Sequence, residues 1–194
     1  MKAKIFIILS LVLFTLSCEE RLEEEVYSIQ TPDNYYNTPS EGYAGLNAIW
    51  GKMNESFGYT QSNLVRLSEA LTDNHGGPGW ARLFDANINE FQHANFDAKN
   101  PYIASVYSGF YQMIFRANSF IDFMEEKDWG EDEPIRKKQI AEAKLYRGLS
   151  YFYLVRYFGG LQIATKISDY EEITGQPRAS AWAFSTGSGS TATG

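Results

Sequence analysis

The sequence predicts a mainly all-α fold of helical hairpins joined by long irregular loops. Three observations carry this. Apolar residues recur at three- and four-residue steps over four separate stretches. Cap-plus-proline helix starts stand at Thr38-Pro39 and Asn100-Pro101. The two longest stretches are separated only by residues 127–133, KDWGEDE, a turn short enough to fold them back as an antiparallel hairpin.

Taken in order, the first helix spans 39–53. Thr38 caps it, Pro39 takes the first helical position and Glu41 reaches back as in a capping box. Tyr43, Leu46, Ile49, Trp50 and Met53 hold helical spacing. Gly58 interrupts, and residues 60–71 form a shorter helix on Leu64, Leu67 and Leu71. Thr72 to Arg82, TDNHGGPGWAR, is punctuated by glycine and proline and cannot be a regular element. Residues 83–98 alternate weakly and read as an irregular loop or a short strand. The third helix starts at Asn100-Pro101 and is carried by Ile103, Val106, Phe110, Ile114, Ala117, Ile121 and Met124.

The last helix is the densest signal. Pro134 stands near its start after two acidic residues, which suit the helix dipole. Ala141, Leu145, Leu149, Phe152 and Val155 lie on one face, and Gly159-Gly160 stops it. Tyr146, Tyr151, Phe152, Tyr153, Tyr157 and Phe158 place aromatics on nearly every side. That girdle predicts a central helix covered by several neighbours.

Composition narrows the class. The 194 residues are 44% hydrophobic and 15% aromatic, ample for a packed core, and the net charge is −7. An acidic body without a basic stripe argues against nucleic-acid binding. His75 and His93 are the only histidines, so a zinc site would need mostly carboxylates, and no metal or other cofactor is expected. No G-x-S-x-G elbow organises a nucleophile. Acidic pairs such as Glu125-Glu126 and Asp132-Glu133 fall in a turn, as solvated surface does.

The N-terminus gives an address. Lys2 and Lys4 precede an apolar run from Ile5 to Leu16, too short for a comfortable membrane span but fitting a secretory signal. Ser17-Cys18 follows, and Cys18 is the only cysteine. The segment resembles a bacterial lipoprotein signal: residues 1–17 are removed and Cys18 is acylated. The alternative is an ordinary cleaved signal with an incidental cysteine. Residues 18–38 form a charged tether and entry segment, 39–180 the helical domain, and 181–194, AWAFSTGSGSTATG, a low-complexity tail foreign to that domain.

One stretch identifies a family. AEAKLYRGLSYFYLVRYFGG resembles the characteristic helix of the SusD/RagB outer-membrane lipoproteins of Bacteroidota, through Glu142, Ala143, Arg147, Tyr151, Phe152, Leu154, Arg156, Phe158, Gly159 and Gly160. Gly148 departs from the usual alanine. Upstream, Tyr111, Arg116, Ala117 and Asn118 match the family's preceding helix, and LSEALTD and QPRAS fit as well. The resemblance implies tetratricopeptide-like hairpins, although no 34-residue repeat is legible. It implies a lipid-anchored, surface-exposed, non-catalytic protein that captures glycans, in some cases peptides, for a SusC-like TonB-dependent transporter. Family proteins are several hundred residues long, so this chain reads as an N-terminal portion whose long helices lack part of their covering.

With that resemblance in view, the loop from Asp73 to Arg82 is the candidate glycan site. A sugar presents an apolar face ringed by hydroxyls, which a flat aromatic edged by polar side chains matches. Trp80 with Asp73, Asn74, His75 and Arg82 supplies that set. The structural alternative is that Trp80 folds back onto the helical core. Arg147 is expected to pair with a carboxylate or cap carbonyls of the neighbouring helix, and Tyr151 and Tyr157 to be core aromatics with tethered hydroxyls. Two other functions stay open: a module that docks the transporter with ligand contacts elsewhere, and a surface glycoside hydrolase.

Overall fold

The computed structural model describes residues 35–57, 63–70, 72, 86–167, 169 and 177–180. These residues are mostly helical. In chain order the helices are α1 (Pro39–Phe57), α2 (Asn63–Glu69), α3 (Ala86–Gln92), α4 (Pro101–Glu125) and α5 (Glu133–Phe158), with a 3-10 turn at Gly130–Asp132 before α5.

The helix starts follow the local chemistry. The Thr38 hydroxyl accepts from the Glu41 amide at 3.3 Å, and Glu41 Oε2 accepts from the amides of Thr38 and Asn37 at 3.2 and 2.7 Å, a complete capping box. Asn100 caps α4 by accepting from the Tyr102 amide at 3.0 Å, with Pro101 following. Gly159 ends α5 at φ 72°, a conformation that favours glycine.

Helices α4 and α5 form the expected antiparallel hairpin. Contacts pair rising numbers on one with falling numbers on the other: Tyr107 with Phe158, Phe110 with Tyr153, Asn118 with Arg147, and Glu125 with Lys144. Two apolar clusters fill the hairpin's open sides. One joins α2, α3 and the first half of α4 to Tyr151, Leu154 and Leu161. The other joins α1 and the second half of α4 to Trp129, Ile140 and Ala143.

Three expectations are corrected. The hub is α4, not the aromatic α5: α4 buries ten residues and packs on α1, α2 and α5, whereas α5 buries six. The face of α5 that periodicity marked as core is largely open, with Ala141 exposed, Leu145 66% exposed and Phe152 49% exposed. The buried row is instead Gln139, Ile140, Ala143, Ser150, Tyr151 and Leu154. Several of these are small or hydrogen-bonded, which lets α1 and α4 approach closely. Last, the 83–98 stretch contains helix α3, stapled by Phe91 in the core and by the Asn100 amide.

Close approach explains two glycines of α1. A Cβ on Gly42 would stand 1.9 Å from Gln139 Oε1 and 2.8 Å from the Trp129 ring. One on Gly45 would stand 2.6 Å from Tyr36 and 2.7 Å from Phe120. Tyr36 packs edge-on against Phe120, and its carbonyl accepts from Trp129 Nε1 at 2.8 Å. The last residues of the entry segment are therefore part of the packed body.

Candidate functional site

The predicted ligand residues Asp73, Asn74, His75, Trp80 and Arg82 lie outside the described residues, as do Cys18 and residues 181–194. The frame on either side of the loop is described. On the entry side α2 buries Leu64 and Leu67, Ala70 just after it is buried too, and Thr72 closes its end by donating from both amide and hydroxyl to the Glu69 carbonyl, at 2.9 and 2.7 Å. On the exit side α3 buries Phe91 in the same apolar cluster. Asn100 locks that side: its amide nitrogen donates to the Asn87 carbonyl at 3.0 Å and to Glu90 Oε2 at 2.8 Å while its oxygen caps α4. Both ends of the 73–85 segment thus start from elements packed on the first half of α4.

The residues that carried the family resemblance do something specific. After Gly159 the chain turns and runs along the hairpin as an extended strap, residues 161–167. Backbone groups of this strap meet side chains of both helices. Tyr111 Oη donates to the Gln162 carbonyl at 2.9 Å. Tyr151 Oη donates to the Ala164 carbonyl at 2.9 Å and accepts from the Ala164 amide at 2.7 Å. Asn118 Nδ2 adds a bond to the same carbonyl at 3.0 Å. Arg147 donates to Asn118 Oδ1 and to the Thr165 carbonyl, both at 2.8 Å. Asp122 accepts from the Ile167 amide at 2.8 Å. Ala164 is fully buried, so its amide and carbonyl need these partners. Leu161 then pairs with Ala179 through bonds of 3.1 and 2.7 Å, which brings the PRAS segment against the strap.

This refines the expectation for Arg147. Its partners are an amide oxygen on the neighbouring helix and a carbonyl of the strap rather than a carboxylate. Tyr151 is a core aromatic with a tethered hydroxyl, as its position implied. Burial pushes its hydroxyl up to about 12, against the opposing pull of the Ala164 bond and of Arg147. Burial likewise raises Tyr111 well above the usual tyrosine range. Arg116 Nη1 reaches across to the Ala48 carbonyl of α1 at 2.8 Å, and Ala117 beside it is fully buried, so the Arg-Ala-Asn run joins α4 to both neighbours. Asp122 and the double role of Asn100 were missed from sequence. The signal for Asn100 was its place beside Pro101; Asp122 had none, because its partner lies 45 residues away.

Among the described residues no group of His, Cys, Asp and Glu is placed to hold a metal ion. No helix among them is long and apolar enough to cross a membrane.

Comparison with known proteins agrees with these features. A family model described as SusD-like, "starch-binding associating with outer membrane", matches residues 30–181. A SusD-like protein of Bacteroides ovatus is 25% identical over 183 residues, covering 91% of this chain and 31% of that protein. SusD-like protein P25 of Formosa agariphila is 24% identical over 178 residues, covering 87% of this chain and 32% of the relative. The chain therefore spans about a third of the length of these curated relatives. No solved structure matches. With the family model covering well over half of the chain, from the entry segment to the PRAS residues, the chain belongs to the SusD-like family.

Proposed function

We propose that this chain is the helical N-terminal part of a non-catalytic, cell-surface glycan-binding protein that works with a SusC-like TonB-dependent transporter in nutrient uptake. The observation that carries the reading is the family match over residues 30–181, whose description joins starch binding to the outer membrane. The anchor is an acylated Cys18, exposed once residues 1–17 are removed. Each buried acyl methylene adds about 0.8 kcal/mol, so several long chains hold a folded domain durably at a membrane surface. The ligand loop is Asp73–Arg82, with Trp80 as the stacking platform and Asp73, Asn74, His75 and Arg82 bonding hydroxyls. The support for it is its residue set and the packed frame on either side.

Covering about 50 Å² of a sugar face at ~25 cal/mol/Å² gives only about 1 kcal/mol. Trp80 therefore works with other contacts rather than alone. Affinity electrophoresis of the chain in gels containing single polysaccharides tests this. Trp80→Ala is expected to lose retention on the glycan that slows the parent, with no reducing sugar released by either protein. Unchanged retention would remove the loop from the site. Fractionation tests the anchor: Cys18→Ala is expected to leave the membrane pellet for the soluble fraction.

A second reading has an observation of its own. The open row of α5, with Leu145 and Phe152 at its centre, supports a docking role towards the transporter. Co-purification with the transporter that survives Trp80→Ala but fails on Leu145→Glu would favour it.

A further inference from the structure

A cleft of about 290 Å³ opens between α1 and α5, and none of the strap residues 161–167 lines it. We infer that it is a second carbohydrate subsite, one that seats a single neutral sugar ring. The inference rests on the glycan-binding reading above and adds a place where binding occurs.

The cleft is built from six side chains: Tyr43, Leu46, Asn47 and Trp50 on α1, and Glu142 and Tyr146 on α5. Residues 43, 47 and 50 share one face of α1, spaced four and three apart. Tyr43 and Trp50 are seven residues apart, about 10 Å along the helix axis, so two rings flank the opening with Asn47 between them. Both are half open, at 48% and 50% exposure. Each ring therefore keeps about half of its surface open to a ligand while the other half packs on the helices. Leu46, almost fully buried, closes the floor.

The polar groups complete the match to a sugar. Tyr146 Oη donates to Glu142 Oε1 at 2.7 Å, which fixes the carboxylate within the lining of the cleft. A carboxylate offers about four lone-pair sites, and one of them is used here, so the rest can accept hydroxyl donors. Burial and that bond push the Tyr146 hydroxyl up to about 12, so its proton stays committed to Glu142 at neutral pH. The Trp50 ring is tilted 47° to Tyr146 at 6.0 Å, so it is steadied from one side and open on the other. Asn47 is exposed and can donate and accept at once. The lining holds a carboxylate and no cation, which excludes uronic acids and phosphorylated sugars as ligands. Its volume lies at the small end of ligand pockets, which begin at about 300 Å³, and fits one ring of an oligosaccharide rather than a longer stretch.

The test uses the purified chain labelled with 5-fluorotryptophan. Its four tryptophans, Trp50, Trp80, Trp129 and Trp182, give separate fluorine signals, each assigned by substitution to Phe. Oligosaccharides of glucose, xylose, mannose and galactose are titrated, with oligogalacturonate as the anionic control. The expected result is a saturable shift of the Trp50 signal with at least one neutral oligosaccharide. Glu142→Gln and Asn47→Ala are each expected to weaken that response at least threefold. The buried Trp129 signal, unmoved in both variants, reports an intact fold. A Trp50 signal silent to every sugar while Trp80 responds would overturn the cleft and leave the glycan-binding reading standing. Silence from all four would overturn both. A response to oligogalacturonate alone would overturn the assignment of a neutral ligand.

Discussion

At the scale of single residues, the strap is held by side-chain hydrogen bonds of Tyr111, Asn118, Asp122, Arg147 and Tyr151. Tyr151 is the most committed, since one hydroxyl serves both the amide and the carbonyl of fully buried Ala164. Tyr151→Phe leaves that amide unpaired, and an unsatisfied buried donor costs about 1–3 kcal/mol. Asn118 still serves the carbonyl, so the lower half of that range is expected in urea denaturation. The same residue sets an alkaline limit. Its pKa is raised from 10.0 to about 12, so the folded state holds the proton more tightly than the unfolded chain does. That contribution is fully present below pH 10 and is lost as pH rises through 12. Stability measured against pH should therefore fall between pH 10 and 12, and more gently in Tyr151→Phe. Equal slopes in the two proteins would show that Tyr151 is not the group responsible. At the acid end Glu133 works in the opposite sense. The Arg136 bond lowers its pKa to about 2, so its support for the start of α5 is present above pH 4.5 and is lost as pH falls towards 2.

At the scale of elements, two glycines inside helices predict opposite outcomes. Gly148 stands on α5 with nothing within 4 Å of a would-be Cβ. Gly148→Ala should stabilise the chain by up to about 1 kcal/mol, the helix-propensity difference. Gly42 stands where α1 meets α5, and its Cβ would press Gln139 and the Trp129 ring. Gln139 could swing away, but it is fully buried and holds the Pro39 carbonyl at 3.1 Å; the Trp129 ring is held by the Tyr36 carbonyl. Gly42→Ala should therefore cost about 1–3 kcal/mol, the usual penalty for overpacking. Thermal midpoints of the two variants, moving in opposite directions, check both. This contrast marks what the sequence could tell. Helix starts were legible because a cap and its partner lie within four residues, as at Thr38 and Asn100. Helix α3 was not, because seven residues carry no period and a distant Asn100 fixes them. The buried face of α5 was misread because a helix that is aromatic all round gives no moment to read. Its contact row is chosen by close approach at Ala143 and Ser150, which only the neighbouring helices reveal. The residue set of the ligand loop was legible, but its geometry lies outside the described residues.

At the scale of the whole molecule, the apolar row left open on α5 is the consequence of that choice. Leu145 and Phe152 are seven residues apart on one side of the helix, with the Arg156 guanidinium 5.2 Å from the Phe152 ring. Within this chain Leu145 is two-thirds exposed and Phe152 half exposed, so they contribute less to its stability than the buried row does. Their apolar area is instead free to associate, and such patches drive contacts between molecules. The double variant Leu145→Glu, Phe152→Glu should accordingly keep the parent's urea midpoint to within about 0.5 kcal/mol, the usual range for surface changes. Its sedimentation should shift towards the monomer at concentrations where the parent self-associates. Loss of stability by several kcal/mol would mean that the row is covered from within the chain. In that case the aromatic girdle would be core after all, as periodicity first indicated.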